Sequence, residues 1–250
     1  MIARIGIIGG SGLEDPSILH NTEEKKSETR FGSPSSSLLC GNLMGTDIVI
    51  LSRHGRDHTI PPSGVNNRAN ILSLKETGCT HIISTTACGS LREDIKRGDI
   101  VIPDQFIDFT RHRAISFFEE FEPGRMGHTP MADPFDAGLR SLLISTAREL
   151  GLVIHEKGTV ITIEGPRFST RAESKMFRSW GADIINMSIA PEAILANELK
   201  IPYATIATST DYDSWKEDEK PVSWEEVLDV FGRNVHNVLT LLQRVIPLIK

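Results

Sequence analysis

Asp211 and Asp213 stand two residues apart in Thr210-Asp211-Tyr212-Asp213, directly after the apolar, β-branched run 202–209. On an extended chain such positions face the same side, so the spacing predicts both carboxylates in one pocket. There, mutual repulsion and burial raise their pKa values, and one carboxyl can give up a proton near neutral pH while the other accepts hydrogen bonds. An aspartate pair capping the next turn is the plainer alternative.

Anion chemistry is concentrated at three other strand ends. Arg53 and His54 lie in Leu51-Ser52-Arg53-His54-Gly55-Arg56-Asp57-His58. A guanidinium can hold an oxyanion through two parallel bonds, and an adjacent imidazole can add a donor. His54 and His58 mimic a metal-binding spacing, but Gly55 stands where the zinc-protease motif needs Glu, and no metal site is expected. Thr85-Thr86-Ala87-Cys88-Gly89-Ser90 offers hydroxyl donors among small residues, or simply a turn that ends a strand. Cys88 has no basic neighbour in sequence to activate it as a nucleophile. Gly9-Gly10-Ser11-Gly12 would let backbone amides and the Ser11 hydroxyl approach an anion, or form a tight turn alone. It is not a dinucleotide fingerprint, because Asp15 stands in place of the third glycine, and the Gly-Lys-Ser/Thr of a Walker loop is absent. Together these clusters imply a pocket at one sheet edge for an oxyanion and a group that needs protonation, with no cofactor.

The elements that must position them alternate. Strand-like runs at 2–8, 48–52, 81–86, 99–102, 159–162, 183–186 and 203–208 are separated by helical stretches. Those stretches are 66–77, 139–150, a run from the capping box Thr170 to Glu173, 191–200, and a last one from the box Ser223 to Glu226. This order predicts an α/β fold with a largely parallel sheet. Residues 104–135 are acidic, aromatic and irregular, which marks a functional loop or an interface.

Composition narrows the function. The 250 residues, 39% hydrophobic and 24% charged, suit one domain spanning 1–250. With 27 basic against 33 acidic residues there is no surplus for a nucleic-acid backbone. The 3 cysteines lack metal or disulfide spacing, and no segment reads as a signal peptide or membrane span, so a cytoplasmic location is expected. Asn186-Met187-Ser188 matches the glycosylation sequon by chance.

The strings IGIIGGSGL, SRHGRDHTIPPS, TTACGSL, TIEGPRFSTRAE, WGADIINMS and ATSTDYDSW, in this order, resemble the trimeric purine nucleoside phosphorylase family over about residues 3–247. The resemblance implies a central mixed, partly barrel-like β-sheet flanked by helices, a homotrimer, and phosphorolysis of 5′-methylthioadenosine to adenine and 5-methylthioribose 1-phosphate. Adenosine, inosine, guanosine or 5′-methylthioinosine are the alternative substrates. Inorganic phosphate is then a co-substrate, and no cofactor or metal is implied. By the same resemblance Ser11, Arg53, His54, Thr86 and Ser188 surround phosphate, with Ala87 lining that place. Asn186 and Met187 bind substrate, Met187 at the ribose 2′-hydroxyl, and Phe168 and Ile185 line the base and sugar pocket. Asp211, as general acid, and Asp213 face the purine. His58 and a neighbouring subunit's His128 approach the 5′ end, and Ser169 and Trp224 tune specificity. Animal members continue past the position of Pro247 into a tail over the 5′-substituent, so the resemblance speaks for adenine ahead of the methylthio group. A non-catalytic nucleotide-binding domain is the reading from a different class; it has no need for Asp211 together with Arg53 and His54. A dinucleotide oxidoreductase is opposed by Asp15.

Overall fold

The computed structural model describes residues 3–9, 19–121, 123–124, 126–219 and 223–250; of Trp224, Glu226, Phe231 and Arg233 it describes the backbone. In chain order the elements are β1 (Arg4–Gly9), β2 (His20–Lys25), β3 (Leu38–Leu43), β4 (Thr46–Ser52), α1 (Asn67–Glu76), β5 (His81–Ser90), β6 (Ile100–Val101) and β7 (Gln105–Phe109). They continue with α2 (Ala137–Glu149), β8 (Ile154–His155), β9 (Thr159–Ile163), α3 (Arg171–Ser179), β10 (Ile184–Asn186), α4 (Ile189–Glu198), β11 (Tyr203–Asp211) and α5 (Trp224–Val245).

The buried strands form because Val, Ile and Thr fit a pleated surface covered on both faces. Along β1, Ile5 and Ile7 enter a core with Leu143 of α2 and Leu241 of α5. Ile8 enters the opposite core with Leu74 of α1 and Leu195 of α4. Gly6 lies on that second face, where a Cβ would come within 3.2 Å of the Leu74 side chain. Helix ends follow local chemistry. The Asn66 side chain caps α1 by accepting from Ala69 N at 3.1 Å. Thr170 and Glu173 form the expected reciprocal capping box of α3.

β5 organises the sheet. Ile5–Ile8 pair in parallel with residues 81–84 on one edge, and β11 runs parallel along the other. Where β1 leaves off, β10 takes over the first edge in antiparallel sense, Ile185 facing Gly89 and Ile184 facing Ser90. A strand has only two edges, so this handover bends the sheet around β5 and brings the ends of β5, β10 and β11 together.

Several expectations need correction. The sheet is not among them: it is mixed, as the resemblance implied, with β2–β3, β3–β4, β5–β10 and β6–β11 antiparallel and the other pairings parallel. β5 does not turn at Thr86 but continues to Ser90, since the small residues of Ala87-Cys88-Gly89 leave room for three neighbouring strands. β11 extends to Asp211. α4 starts at Ile189, ahead of Pro191. Segment 104–135 holds β7, and β2, β3 and β8 had no signal in the sequence reading.

Candidate functional site

The strand ends gathered by β5 surround one cavity of about 460 Å³. Its anion-friendly end starts at the tips of β1 and β4, which are tied together by Arg53 N donating to Gly9 O at 3.0 Å. The Arg53 side chain is buried, and three of its five N–H groups are committed. Nε and Nη2 donate to Glu192 Oε1 and Oε2 at 2.5 and 3.2 Å, and Nη1 donates to Thr85 O at 2.9 Å. The expected two-pronged edge is therefore filled by Glu192, and one hydrogen on each terminal nitrogen remains for the cavity.

His54 also differs from expectation. Its Nδ1 lies 2.9 Å from Ile60 O. A carbonyl only accepts, so Nδ1 carries the hydrogen. Burial foremost, then the Arg53 charge, push the imidazole pKa down to about 4 against the pull of that carbonyl, with His58 and Arg113 adding to the fall. At neutral pH His54 is thus uncharged, and its Nε2 is an acceptor where a donor was expected. The His58 ring lies against it at 4.6 Å.

The remaining polar groups come from β5, β10 and the start of α4. Asn186 Nδ2 donates to Ser188 Oγ at 3.2 Å and Thr86 Oγ1 at 3.4 Å, while Thr162 Oγ1 donates to Asn186 Oδ1 at 2.8 Å. Ser188 precedes the first turn of α4, yet its side chain makes no capping bond to the helix. The hydroxyl and the helix N-terminus therefore share one corner of the cavity, an arrangement that favours an anion. Ala87, Ile185, Met187 and Phe168 line the walls.

The other end carries the carboxylates. Asp211 closes β11 beyond a register shift between Ser209 and Asp211, a bulge that re-aims its side chain. Gly89 is required beside it: a Cβ there would lie 2.8 Å from Asp211 Oδ1 and 3.0 Å from Ile185. Strand alternation does not bring Asp213 alongside. Asp213 starts a 3₁₀ turn, Asp213–Trp215, with φ of 47°, and its N–H donates to Asp211 Oδ1 at 2.8 Å. Asp211 Oδ2 accepts from Thr210 Oγ1 at 2.8 Å, and Asp213 Oδ2 accepts from Ser169 Oγ at 2.5 Å. Burial dominates at both and raises both carboxyl pKa values; Thr210 and the Asp213 amide oppose this at Asp211, and Ser169 foremost opposes it at Asp213.

Cys88 and Gly89, from the Thr85–Ser90 cluster, also line the cavity, as do Pro61, Pro62, Val227 and Leu228, which the sequence had not marked as its walls. Phe168 and Leu228, 38% and 39% exposed, leave an apolar mouth. His128 is not in this cavity; it is exposed and meets Phe121 edge to face at 5.6 Å. Ser11 lies outside the described residues, and of Trp224 only the backbone position at the start of α5 is described. Among the described residues no group of His, Cys, Asp and Glu gathers as a metal site, and no helix is long and apolar enough to cross a membrane.

A cavity with an anion corner at one end, a protonatable carboxyl at the other and apolar walls between can place an oxyanion against a bond whose leaving group needs a proton. Comparison with known proteins gives the same direction. A family model described as the phosphorylase superfamily matches residues 4–247. The chain is similar to S-methyl-5′-thioadenosine phosphorylase of Xenopus tropicalis, 55% identical over 248 residues, covering 98% of this chain and 88% of that one. It is 52% identical to the protein of that name from Hyperthermus butylicus over 246 residues, covering 98% and 88%. Among solved structures it is similar to methylthioadenosine phosphorylase from Schistosoma mansoni in complex with adenine, with TM-score 0.93, 41% identity, and 98% and 91% of the two chains covered. A mutant of adenosine/methylthioadenosine phosphorylase from the same organism, in complex with methylthioadenosine, gives TM-score 0.91 at 40% identity over 98% and 91%.

Proposed function

This chain belongs to the phosphorylase superfamily, and from that premise we propose that it catalyses phosphorolysis of S-methyl-5′-thioadenosine to adenine and 5-methylthioribose 1-phosphate. The observation that carries the proposal is the pairing, in one cavity, of the Arg53–His54–Thr86–Ser188 corner with buried Asp211. Relatives of this name at about half identity over nearly the whole chain support the substrate.

Phosphate occupies the corner beside Arg53, Thr86, Ala87 and Ser188, and Ser11 belongs with it by resemblance. The remaining Arg53 hydrogens and the Ser188 hydroxyl donate to its oxygens. His54 Nε2 accepts the hydrogen of the monoprotonated dianion, which turns an unprotonated oxygen toward the sugar. Met187 lies along the ribose, Asn186 holds the Thr86 and Ser188 hydroxyls in place, and Ile185 and Phe168 flank the base. As the bond from the anomeric carbon to the purine nitrogen breaks, its electron pair goes to the purine and positive charge develops on the sugar. A phosphate oxygen stabilises that charge and forms the new carbon–oxygen bond. Asp211 gives its proton to the five-membered ring of the purine and is reprotonated from solvent. Asp213, held by Ser169, accepts from the 6-amino group. A 6-oxo base would set two acceptors face to face, so adenine nucleosides are preferred. The apolar mouth at Phe168 and Leu228 suits a methylthio group, with His58 near the 5′ end and Trp224 tuning specificity.

The assembly is a homotrimer in the cytoplasm, each chain one domain over 1–250, with residues 104–135 lending His128 to a neighbouring 5′ pocket. The exposed rings of Phe118 and Phe121 beside His128 support an interface there. No cofactor is assigned. The test is phosphate-dependent release of free base from 5′-methylthioadenosine, adenosine, 5′-methylthioinosine and inosine in parallel. Fastest release from 5′-methylthioadenosine is expected; release independent of phosphate, or faster from inosine, would overturn the assignment.

A further inference from the structure

We infer that Glu192, held by Tyr203, is the positioning residue of the phosphate corner, fixing the Arg53 guanidinium so that its last two N–H groups meet the oxyanion. The inference deepens the phosphorolysis reading and rests on it. Glu192 is 139 residues from Arg53 in sequence and is 1% exposed. It does not line the cavity, so its effect on substrate passes through Arg53.

The geometry leaves Arg53 little freedom. Both Glu192 oxygens are bound to it along the Nε–Nη2 edge, and Nη1 is bound to Thr85 O. Behind Glu192 the Tyr203 hydroxyl donates to Oε2 at 2.8 Å. Its single hydrogen is spent there, so it must accept from the hydroxyls around it. Ser84 Oγ lies 2.6 Å away and Thr205 Oγ1 donates to it at 3.1 Å. Burial foremost, with the Glu192 charge, holds the Tyr203 phenol well above its ordinary pKa and keeps it a donor. The chain Ser84–Tyr203–Glu192–Arg53 thus ties β5, β11 and α4 to the residue that follows β4.

Stability alone gives this pair no reason to exist, because well-packed apolar residues commonly replace a buried ion pair without loss. A fixed cation does have a use here. A flexible arginine would have to be ordered each time phosphate bound, and a network set in the fold removes that cost. Glu192 also offsets the Arg53 charge, so the empty corner is not a bare buried cation.

The experiment measures phosphorolysis by wild type, Glu192→Gln and Tyr203→Phe, with KM determined separately for phosphate and 5′-methylthioadenosine, and phosphate affinity read by calorimetry without turnover. Glu192→Gln should weaken phosphate about ten- to a hundredfold, and Tyr203→Phe about three- to tenfold, since each loses a hydrogen bond to a charged or buried partner. KM for the nucleoside should stay within about twofold of wild type, because the Asp211 end is untouched. If Glu192→Gln does not fold, Tyr203→Phe decides. Phosphate KM and affinity unchanged in Tyr203→Phe, equal rises in both KM values, or tighter phosphate binding in Glu192→Gln would each overturn the inference. A wild type that releases no adenine refutes the phosphorylase reading instead, and calorimetry still reports on Glu192.

Discussion

Replacing Asp211 by Asn separates proton donation from shape. Both carboxylate oxygens accept hydrogen bonds, Oδ1 from the Asp213 amide and Oδ2 from Thr210 Oγ1, each at 2.8 Å. An asparagine can keep its oxygen toward the amide and turn its NH₂ toward Thr210, whose hydroxyl then donates to Cys88 O, 3.2 Å away. No buried donor is orphaned, so the loss should stay near 1 kcal/mol, or about 2–4 °C in melting temperature for a chain this size. Removing the acid is another matter. General acid catalysis contributes about 10²–10⁴-fold, roughly 2.7–5.5 kcal/mol of barrier. Adenine release from 5′-methylthioadenosine by Asp211→Asn should therefore fall by about 10²–10⁴ in kcat, with discrimination against 6-oxo bases reduced. Burial raises the Asp211 pKa, so wild-type kcat should decline as pH rises through that raised value, and the variant should lack this limb. The same shift has a stability sign. A carboxyl with a raised folded pKa holds its proton after the unfolded chain has lost it, so the Asp211 contribution to stability is lost as pH rises from about 4 through the folded value. The variant should lack this loss. A kcat within about threefold of wild type, or an unchanged basic limb, would refute the reasoning.

Arg53→Ala should lower phosphorolysis about 30- to 1000-fold through phosphate. It also strands Glu192, so a stability loss of about 3–5 kcal/mol should accompany it in denaturant melts; Arg53→Met with Glu192→Met should regain most of the stability and none of the activity. His54, whose pKa is pushed from 6.5 to about 4, binds its proton only in the unfolded chain between those values. The His54 contribution to stability should therefore fall by about 2–3 kcal/mol from pH 6.5 to 4, opposite in sign to that of Asp211, and the difference between wild type and His54→Gln across this window in thermal melts should show it. Activity should survive exhaustive chelation; loss with EDTA that a divalent ion restores would make His54 and His58 metal ligands. Sedimentation at micromolar concentration should give a trimer, with His128→Ala weakening the nucleoside and leaving phosphate unchanged; a fully active monomer contradicts the shared site.

Local chemistry was legible in the chain itself. β-Branched runs marked β1, β4, β5 and β11, and the Thr170–Glu173 box marked the start of α3; Arg53, Thr86 and Asp211 were expected at strand ends and do line one cavity, although only Arg53 follows its strand, while Thr86 lies within β5 and Asp211 is the last residue of β11. β2 was not legible, because the six residues of His20–Lys25 are all exposed and polar and become an edge strand through pairing with β3. The sequence put Asp211 and Asp213 in one pocket for the wrong reason. Strand alternation was expected to do it, whereas a bulge and a left-handed turn do. Roles were harder than positions. His54 reads as a donor until Ile60 O claims its Nδ1 hydrogen, and Arg53 reads as a free fork until Glu192 fills one edge. Glu192 itself has no local signature, as a glutamate in a helical first turn belongs ordinarily to the helix dipole. Periodicity and capping act within a few residues, so sequence alone determines them. Which long-range partner occupies a buried donor is decided only when β5 draws β4, β10, β11 and α4 together, because an unsatisfied charge there is too costly to leave unpaired.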